Sequence, residues 1–270
     1  MHRGILPSIL FCFVSVGALV IILIVAGVSF AQETTVDSID VAQLRARAEA
    51  GHAPEQIKLA RALRFGIGIK QDAVEAVHWF LKAADQGDPA AQTDLGYMYS
   101  LGLGVRQSPE QAFRWFQRAA LENYAPAQND VATLLAAGVG TRQDRSEAIN
   151  WWTRAAKNGF APAQVNLAIN LLRHGDLAEK EQGVHWLKQA AKKKDARGEF
   201  WLGILYYTGK GVTQNSKLAA EWYRRAAERG YSRAQNNLAI CYSSGTGVER
   251  NLGEAVKWYN LPPRKEMDWQ

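Results

Sequence analysis

The chain has 270 residues, 47% of them hydrophobic, with 32 Lys and Arg against 26 Asp and Glu for a net charge of +6. That apolar content can bury a sizeable core. The basic excess is modest and scattered, and no aromatic-and-basic stripe or known nucleic-acid module accompanies it, which argues against nucleic-acid binding. Of the two cysteines, Cys12 falls in an N-terminal apolar run and Cys241 is alone in the remainder, so no intramolecular disulfide can form there.

Residues 1–31 stand apart. Between Ile5 and Phe30 there is no charged side chain, and about 20 apolar residues suffice to span a bilayer as a helix. Arg3 precedes the run and Glu33, Asp37 and Asp40 follow it, a charge order that keeps the amino end inside. Ser29-Phe30-Ala31 before Gln32 also fits a signal-peptide cleavage site. The segment reads either as an uncleaved N-terminal hydrophobic helix, which anchors the chain to the membrane, or as a signal cleaved near Ala31. Both readings place everything that follows on the extracytoplasmic, periplasmic side.

Residues 32–53 read as a linker and an N-terminal capping helix. Leu44, Ala48 and Gly51 match Phe80, Ala84 and Gly87 at a 36-residue offset, and the free end of a stacked array needs such a polar-edged cap. Beyond it a tryptophan recurs at Trp79, Trp115, Trp151, Trp186, Trp222 and Trp258, in steps of 36, 36, 35, 36 and 36 residues. A fixed period in this range means stacked units, none able to bury its apolar face alone. Six repeats follow, 54–89, 90–125, 126–161, 162–196, 197–232 and 233–268.

Each repeat reads as two helices. In the first, Ala91, Leu95 and Tyr99 form one stripe. Gly96 lies beside it, in a slot that holds only Gly or Ala in all six copies. Gly102 and Gly104 end this helix, and the pair recurs as Gly66/Gly68, Gly138/Gly140, Gly209/Gly211 and Gly245/Gly247. Seven residues before each tryptophan stand Asp72, Ser108, Asp144, Glu179, Asn215 and Asn251, the expected N-caps of the second helix. Glu75, Gln111, Glu147, Gln182 and Glu254, three residues on, are expected to close capping boxes. The core face of the second helix is Ala112, Trp115, Phe116, Ala119 and Ala120. It stops at Gly87, Asn123, Gly159, Lys194 or Gly230, of which only Lys194 resists a left-handed turn. The fourth repeat departs from the pattern: its loop, His174 to Leu177, lacks the second glycine and is one residue short. The sixth ends in Leu261-Pro262-Pro263, where proline breaks the helix.

Repeat two carries AQTDLGYMYSLGLGV and then AFRWFQRAA. This pattern resembles the Sel1-like repeat family, a relative of the tetratricopeptide repeat, over about residues 54 to 268. The resemblance implies an all-α, right-handed α-solenoid of helix-turn-helix repeats that binds other proteins. Some exported relatives carry a disulfide in each repeat. This chain departs from them and must be held by packing and capping, with Cys241 a small buried filler.

No residue pattern calls for a metal, a cofactor or a catalytic group. No two histidines have metal-ligand spacing. His78 and His185 share a slot with Arg114, Asn150, Glu221 and Lys257, which marks a solvent face. His174 beside Asp176 belongs to the distorted loop. There is no nucleophile elbow, phosphate loop or paired-cysteine motif. The tryptophans and the Gly-x-Gly pairs recur at the repeat period and are structural for that reason.

Functional information therefore lies in positions the repeat does not dictate. By analogy with tetratricopeptide geometry, first helices line a concave groove. Slots two before, two after and five after each Leu95 equivalent are expected to face into it. They hold Thr93, Tyr97, Ser100, Asn129, Thr133 and Ala136 in repeats two and three. Repeats four and five place Val165, Ile169, Leu172, Phe200, Ile204 and Tyr207 there, and repeat six Asn236, Ile240 and Ser243. The lining turns from polar to apolar along the array. Contiguous apolar residues facing solvent point to a partner site; tighter superhelical packing that buries them is the competing account. Phe200 and Tyr207 are the best anchors, and Arg197 and Arg233 could hold an acidic end of a protein or peptide partner. The leading expectation is an extracytoplasmic interaction scaffold. The alternative, a hydrolase of cell-wall peptides or β-lactams on a Sel1-like scaffold, needs a converging nucleophile and base that the sequence does not display.

Overall fold

A computed structural model describes residues 40–261. The apolar segment 1–31, the linker to residue 39 and residues 262–270 lie outside the described residues. Within them are thirteen helices: α1 Val41–Glu49, α2 Ala53–Phe65, α3 Ala73–Asp85, α4 Pro89–Leu101, α5 Pro109–Leu121, α6 Ala125–Ala137, α7 Arg145–Lys157, α8 Ala161–His174, α9 Leu177–Lys192, α10 Ala196–Thr208, α11 Ser216–Glu228, α12 Ser232–Ser244 and α13 Leu252–Asn260. None is long and apolar enough to cross a membrane. From α2 onward they pair as first and second helices of six repeats. Each first helix packs between its own second helix and the preceding one, and α1 stands in for a second helix ahead of repeat one. The result is an α-solenoid.

Local sequence sets the helix ends. Pro54, Pro89, Pro126 and Pro162 sit in the first turn of first helices, where a missing N–H costs nothing. These helices end at glycines with left-handed backbone, Gly66, Gly102, Gly138, Gly209 and Gly245. Asp72, Ser108, Asp144, Asn215 and Asn251 cap the second helices as expected, each side chain accepting from the amide three residues on.

The fourth repeat corrects the expected cap. Its N-cap is Asp176, not Glu179, and α9 has 16 residues where the other full second helices have 13. With no second glycine, the chain passes through extended backbone at Gly175 and starts the helix early. Glu179 becomes the third helical residue and returns a bond to the Asp176 amide, 3.1 Å. This is the one capping box among the described helices. Elsewhere the acid at that position is spent differently: Glu75 and Glu147 accept from the indole N–H of Trp79 (3.1 Å) and Trp151 (3.2 Å) one turn on.

The tryptophan ladder is only partly core. Trp79 and Trp151 are buried, while Trp115, Trp186, Trp222 and Trp258 are half-buried. The fully enclosed ring belongs to the next residue, Phe80, Phe116, Trp152 or Tyr223. Tryptophan at the margin covers the core and carries a cation on its outer face: Lys82, Arg118, Arg154 and Arg225 stand 4.4–4.7 Å from the rings of Trp79, Trp115, Trp151 and Trp222. The small slot of the first helix exists for the inner ring, since a Cβ on Gly96 would strike Phe116 and one on Gly203 would strike Tyr223. Cys241 is buried, and burial pushes its thiol up to about 11.

Two ties join successive repeats. Gln56, Gln92, Gln128, Gln164 and Gln235 each donate from the first helix to the carbonyl of Ala48, Ala84, Ala120, Ala156 or Ala227 at the end of the preceding second helix. Carbonyls there have no partner within their own helix. The second glycine of each loop also does more than end a helix. A Cβ on Gly104, Gly140 or Gly247 would collide with the first peptide of the preceding second helix, at Ala73, Pro109 or Ser216. Gly68 meets nothing within 4 Å among the described residues. Gly68→Ala is therefore expected to cost about 1–2 kcal/mol, the price of a left-handed alanine. Gly140→Ala should cost clearly more, because repeats two and three must also move apart. Urea-unfolding midpoints of the two variants check this; equal losses would remove the close approach as a constraint.

Candidate protein-interaction surface

The first helices of neighbouring repeats also meet one another, α4 with α6, α6 with α8 and α8 with α10, more extensively than any pair of second helices does. They form the inner side of the stack. The residues expected to face a groove there fall into two groups.

One group is enclosed. Tyr97 is 1% exposed, Val165 0%, Phe200 7% and Asn129 8%, with Thr93 and Ser100 buried too. For all of them but Tyr97 and Ser100 the expected accessibility is corrected for a common reason. The slot two before the Leu95 equivalent lies under the next repeat, so Thr93, Asn129, Val165 and Phe200 are covered and only Asn236, in the last repeat, is open. Phe200 shows what covers it: its ring stands 6.0 Å from Tyr223 and 5.1 Å from Tyr231, which opens α12. Phe200 is a core residue, not an anchor. Tyr97 is enclosed with its ring edge-on to Phe116 at 5.0 Å.

The others reach solvent. Ile169 and Leu172 are half-buried over the core of repeat four, Leu172 lying on Gly183. Ile204 and Tyr207 are half-buried over repeat five. Asn236 is exposed, and Ile240 is 49% exposed. An apolar strip thus opens along repeats four to six. The same side of repeat two is shut, with every residue of α4 from Ala91 to Met98 buried.

What shuts it is a line of hydrogen bonds the sequence reading did not find. Asp94 accepts from Arg61 Nε at 2.9 Å and pairs with Arg64 at 3.5 Å. Tyr97 donates its hydroxyl to Asp130 at 2.5 Å, and Asn129 donates to the same carboxylate at 3.3 Å. Asn166 donates to Asn129 at 2.8 Å, and Arg197 donates to Asn166 at 2.8 Å. The line from Tyr97 to Arg197 crosses repeats two to five. Burial pushes Asp94 up while the two guanidinium groups pull against it. Burial raises Asp130 to about 7, against the pull of the Tyr97 and Asn129 bonds. Burial and the Asp130 charge hold Tyr97 protonated, hence a donor. The signal was present: Asp94 and Asp130 stand one period apart, each beside a core position, where an acid needs partners. Among the described residues no three His, Cys, Asp or Glu converge as a metal site. An open cleft of about 810 Å³ lies where α11 meets the loop into α13, lined by Lys217, Glu221, Arg224, Arg250 and Glu254 among others.

The Sel1 repeat family model matches six times, over residues 56–88, 89–124, 125–160, 161–195, 196–231 and 232–261. The chain is a Sel1 repeat protein. It resembles the crystal structure of a Sel1 repeat protein from Oxalobacter formigenes at 29% identity and TM-score 0.73, covering 82% of this chain and 98% of that one. It also resembles a protective antigen of uropathogenic Escherichia coli displaying an SLR fold, at 29% identity and TM-score 0.72 over 82% of this chain. It spans 47% of that protein's length. An immunity protein from Pseudomonas aeruginosa, 22% identical with TM-score 0.55 over 77% of this chain and 80% of its own, shares the fold alone. No curated protein matches the chain. Sel1 repeats generally mediate protein–protein interaction.

The buried acid of repeat three gives the array a pH dependence. In an unfolded chain an aspartate titrates near 3.9, whereas Asp130 in the fold titrates at about 7. The folded state holds the proton more tightly, so this group's contribution is fully present below about pH 4 and is lost as the pH rises through about 7. Wild type should lose stability between pH 5 and pH 8, by at most about 1.4 kcal/mol per pH unit from this group. Asp130→Asn should flatten that part of the profile. Urea midpoints of both proteins across the range measure it; parallel profiles would show that Asp130 is not the titrating group.

Proposed function

We propose that this Sel1 repeat protein is an extracytoplasmic scaffold that seats a peptide or protein partner on the inner face of repeats four to six. Residues 1–31 deliver it across the membrane and either anchor it or are cleaved near Ala31. The observation that carries the reading is the contrast along one face. In repeat two the inner face is sealed by its own packing and hydrogen bonds. In repeats four to six it keeps Ile169, Leu172, Ile204, Tyr207 and Ile240 within reach of solvent. Nothing in the repeat pattern requires apolar residues there, since Arg61 and Thr133 occupy the slot of Ile204 and Ile240 in repeats one and three. A few apolar anchors can supply most of the affinity of such a contact.

Tyr207→Ala and Ile240→Ser should each weaken partner binding by ~1–3 kcal/mol, with small effects on unfolding. Phe200→Ala should instead cost ~3–5 kcal/mol of stability, as aromatic truncation in a core does. The measurement is photocrosslinking from position 207 in cells, with Thr153 on a second helix as control, followed by affinity measurement with the captured partner. Crosslinks of equal yield from both positions, or unchanged affinity in Tyr207→Ala, would sink the assignment. Alkaline phosphatase fused after Gln270 should be active; a silent fusion overturns the location.

A further inference from the structure

The turns that lead from each second helix to the next first helix lie along one edge of the stack, and their charge changes sign along it. The early turns carry Asp85 and Glu122, both exposed. From repeat three onward the same edge carries Lys157, Lys192, Lys193, Lys194, Arg197, Arg229 and Arg233 against Asp195 and Glu228, with Arg197 and Asp195 half-buried and the rest exposed. Repeats one and two hold as many acids as bases, so the net excess of the whole chain resides in repeats three to six. Charges that look scattered along the sequence are gathered by the fold.

Ordinary solvation does not account for the whole cluster. None of Lys157, Lys192, Lys194 and Arg233 pairs with a carboxylate among the described residues, whereas Lys193 donates to the Gly159 carbonyl. Lys192 to Lys194 follow a helix C-terminus, which favours cations. Arg197 and Arg233 are the second residues of α10 and α12, at the positive ends of helix dipoles, which disfavour them. In repeats one, three and four that slot holds Pro54, Pro126 and Pro162, so the fold does not ask for arginine. Lys194 has a left-handed backbone, φ 62°, at a turn filled elsewhere by Gly87, Gly159, Gly230 or Asn123. A lysine there costs about 1 kcal/mol or more over glycine.

Resting on the scaffold reading above, we propose that the partner segment is acidic and amphipathic, its carboxylates set against the cationic edge from Lys157 to Arg233 and its apolar side against Ile204, Tyr207 and Ile240. Arg197 and Arg233 begin the two helices that carry those apolar residues, so the cationic edge and the apolar strip are continuous. Arg197 is held at 2.8 Å by Asn166, the end of the buried polar line, which pre-orients its guanidinium.

The test uses the full chain in non-ionic detergent and fluorescence anisotropy. The probes are a fluorescein-labelled amphipathic helical peptide with a leucine face and a glutamate face, and the same peptide with lysine for glutamate. Soluble short-chain phosphatidylglycerol is the competitor. The glutamate peptide should bind, more weakly as salt rises and the pairs are screened. K192E/K194E should weaken it at least ~10-fold with an unchanged melting temperature, because both side chains are exposed; Lys193 is left in place, since its ammonium donates to the Gly159 carbonyl. R233E is a second variant on another helix with the same expected direction. Equal binding of both peptides, lost in Tyr207→Ala, overturns the acidic partner while the scaffold reading stands. Binding of neither peptide overturns both. A lysine-dependent signal that phosphatidylglycerol supplies and the glutamate peptide does not assigns the edge to lipid and overturns the proposal.

Discussion

Each first helix must be buried between two second helices, its own and the one before. Thirteen residues of helix cannot bury their apolar face alone, so every other feature follows from how closely that sandwich can close. Alanine at Ala83, Ala84, Ala119, Ala120, Ala155 and Ala156 keeps the second helices thin where the next first helix arrives. The glutamine row then adds a second donor to carbonyls at the end of each preceding helix that already accept from the turn amides of Gly51, Gly87, Asn123, Gly159 and Gly230. Repeat five shows the constraint by exception. Its slot holds Glu199, which cannot donate as a carboxylate, and it accepts from Arg229 at 2.9 Å instead. Arg229 follows Glu199's own second helix, α11, so the tie back to the preceding helix is the one that repeat five lacks.

The close seam explains which parts of the sequence were legible. Features that depend on one repeat were readable, because they recur: the helix pairs, the glycine ends and five of six caps. Features that depend on the step between repeats were not. Val165 and Phe200 sit two residues before a core leucine, a position that an isolated repeat would leave open. The neighbouring repeat closes it, and nothing in the spacing reports how far one repeat rotates on the next. Gly104 and Gly140 looked like spare helix terminators for the same reason. Their contact is with a peptide 31 residues earlier in sequence, at Ala73 and Pro109. Glu179 was misplaced because the tryptophan period was extended across a loop that had lost a residue.

Polarity on the inner face also follows from the seam. Where adjacent first helices meet, a polar side chain has to find its partner in the next repeat. Tyr97, Asp130, Asn129, Asn166 and Arg197 do this in series. A buried network with every member bonded favours one arrangement over its alternatives, which suits the part of the array that must fix the angle between repeats. The apolar part has no such restriction. Ile169, Ile204 and Ile240 occupy equivalent positions, the first two half-buried and the last, in repeat six, exposed.

The bonded network is most enclosed in repeats two and three and runs on to Asn166 and Arg197 in repeats four and five. Repeats one and two carry no charge excess. The later ones hold the open apolar strip and the cations that lack carboxylate partners. An apolar strip by itself binds without direction, and a cationic edge by itself binds weakly in salt. Placed end to end on α10 and α12, they fix both what a partner must present and which way it must lie. The residues that do so, Arg197, Arg233, Ile204, Tyr207 and Ile240, are those the repeat leaves free to vary, which is why a repeat pattern strong enough to give the fold says so little about them.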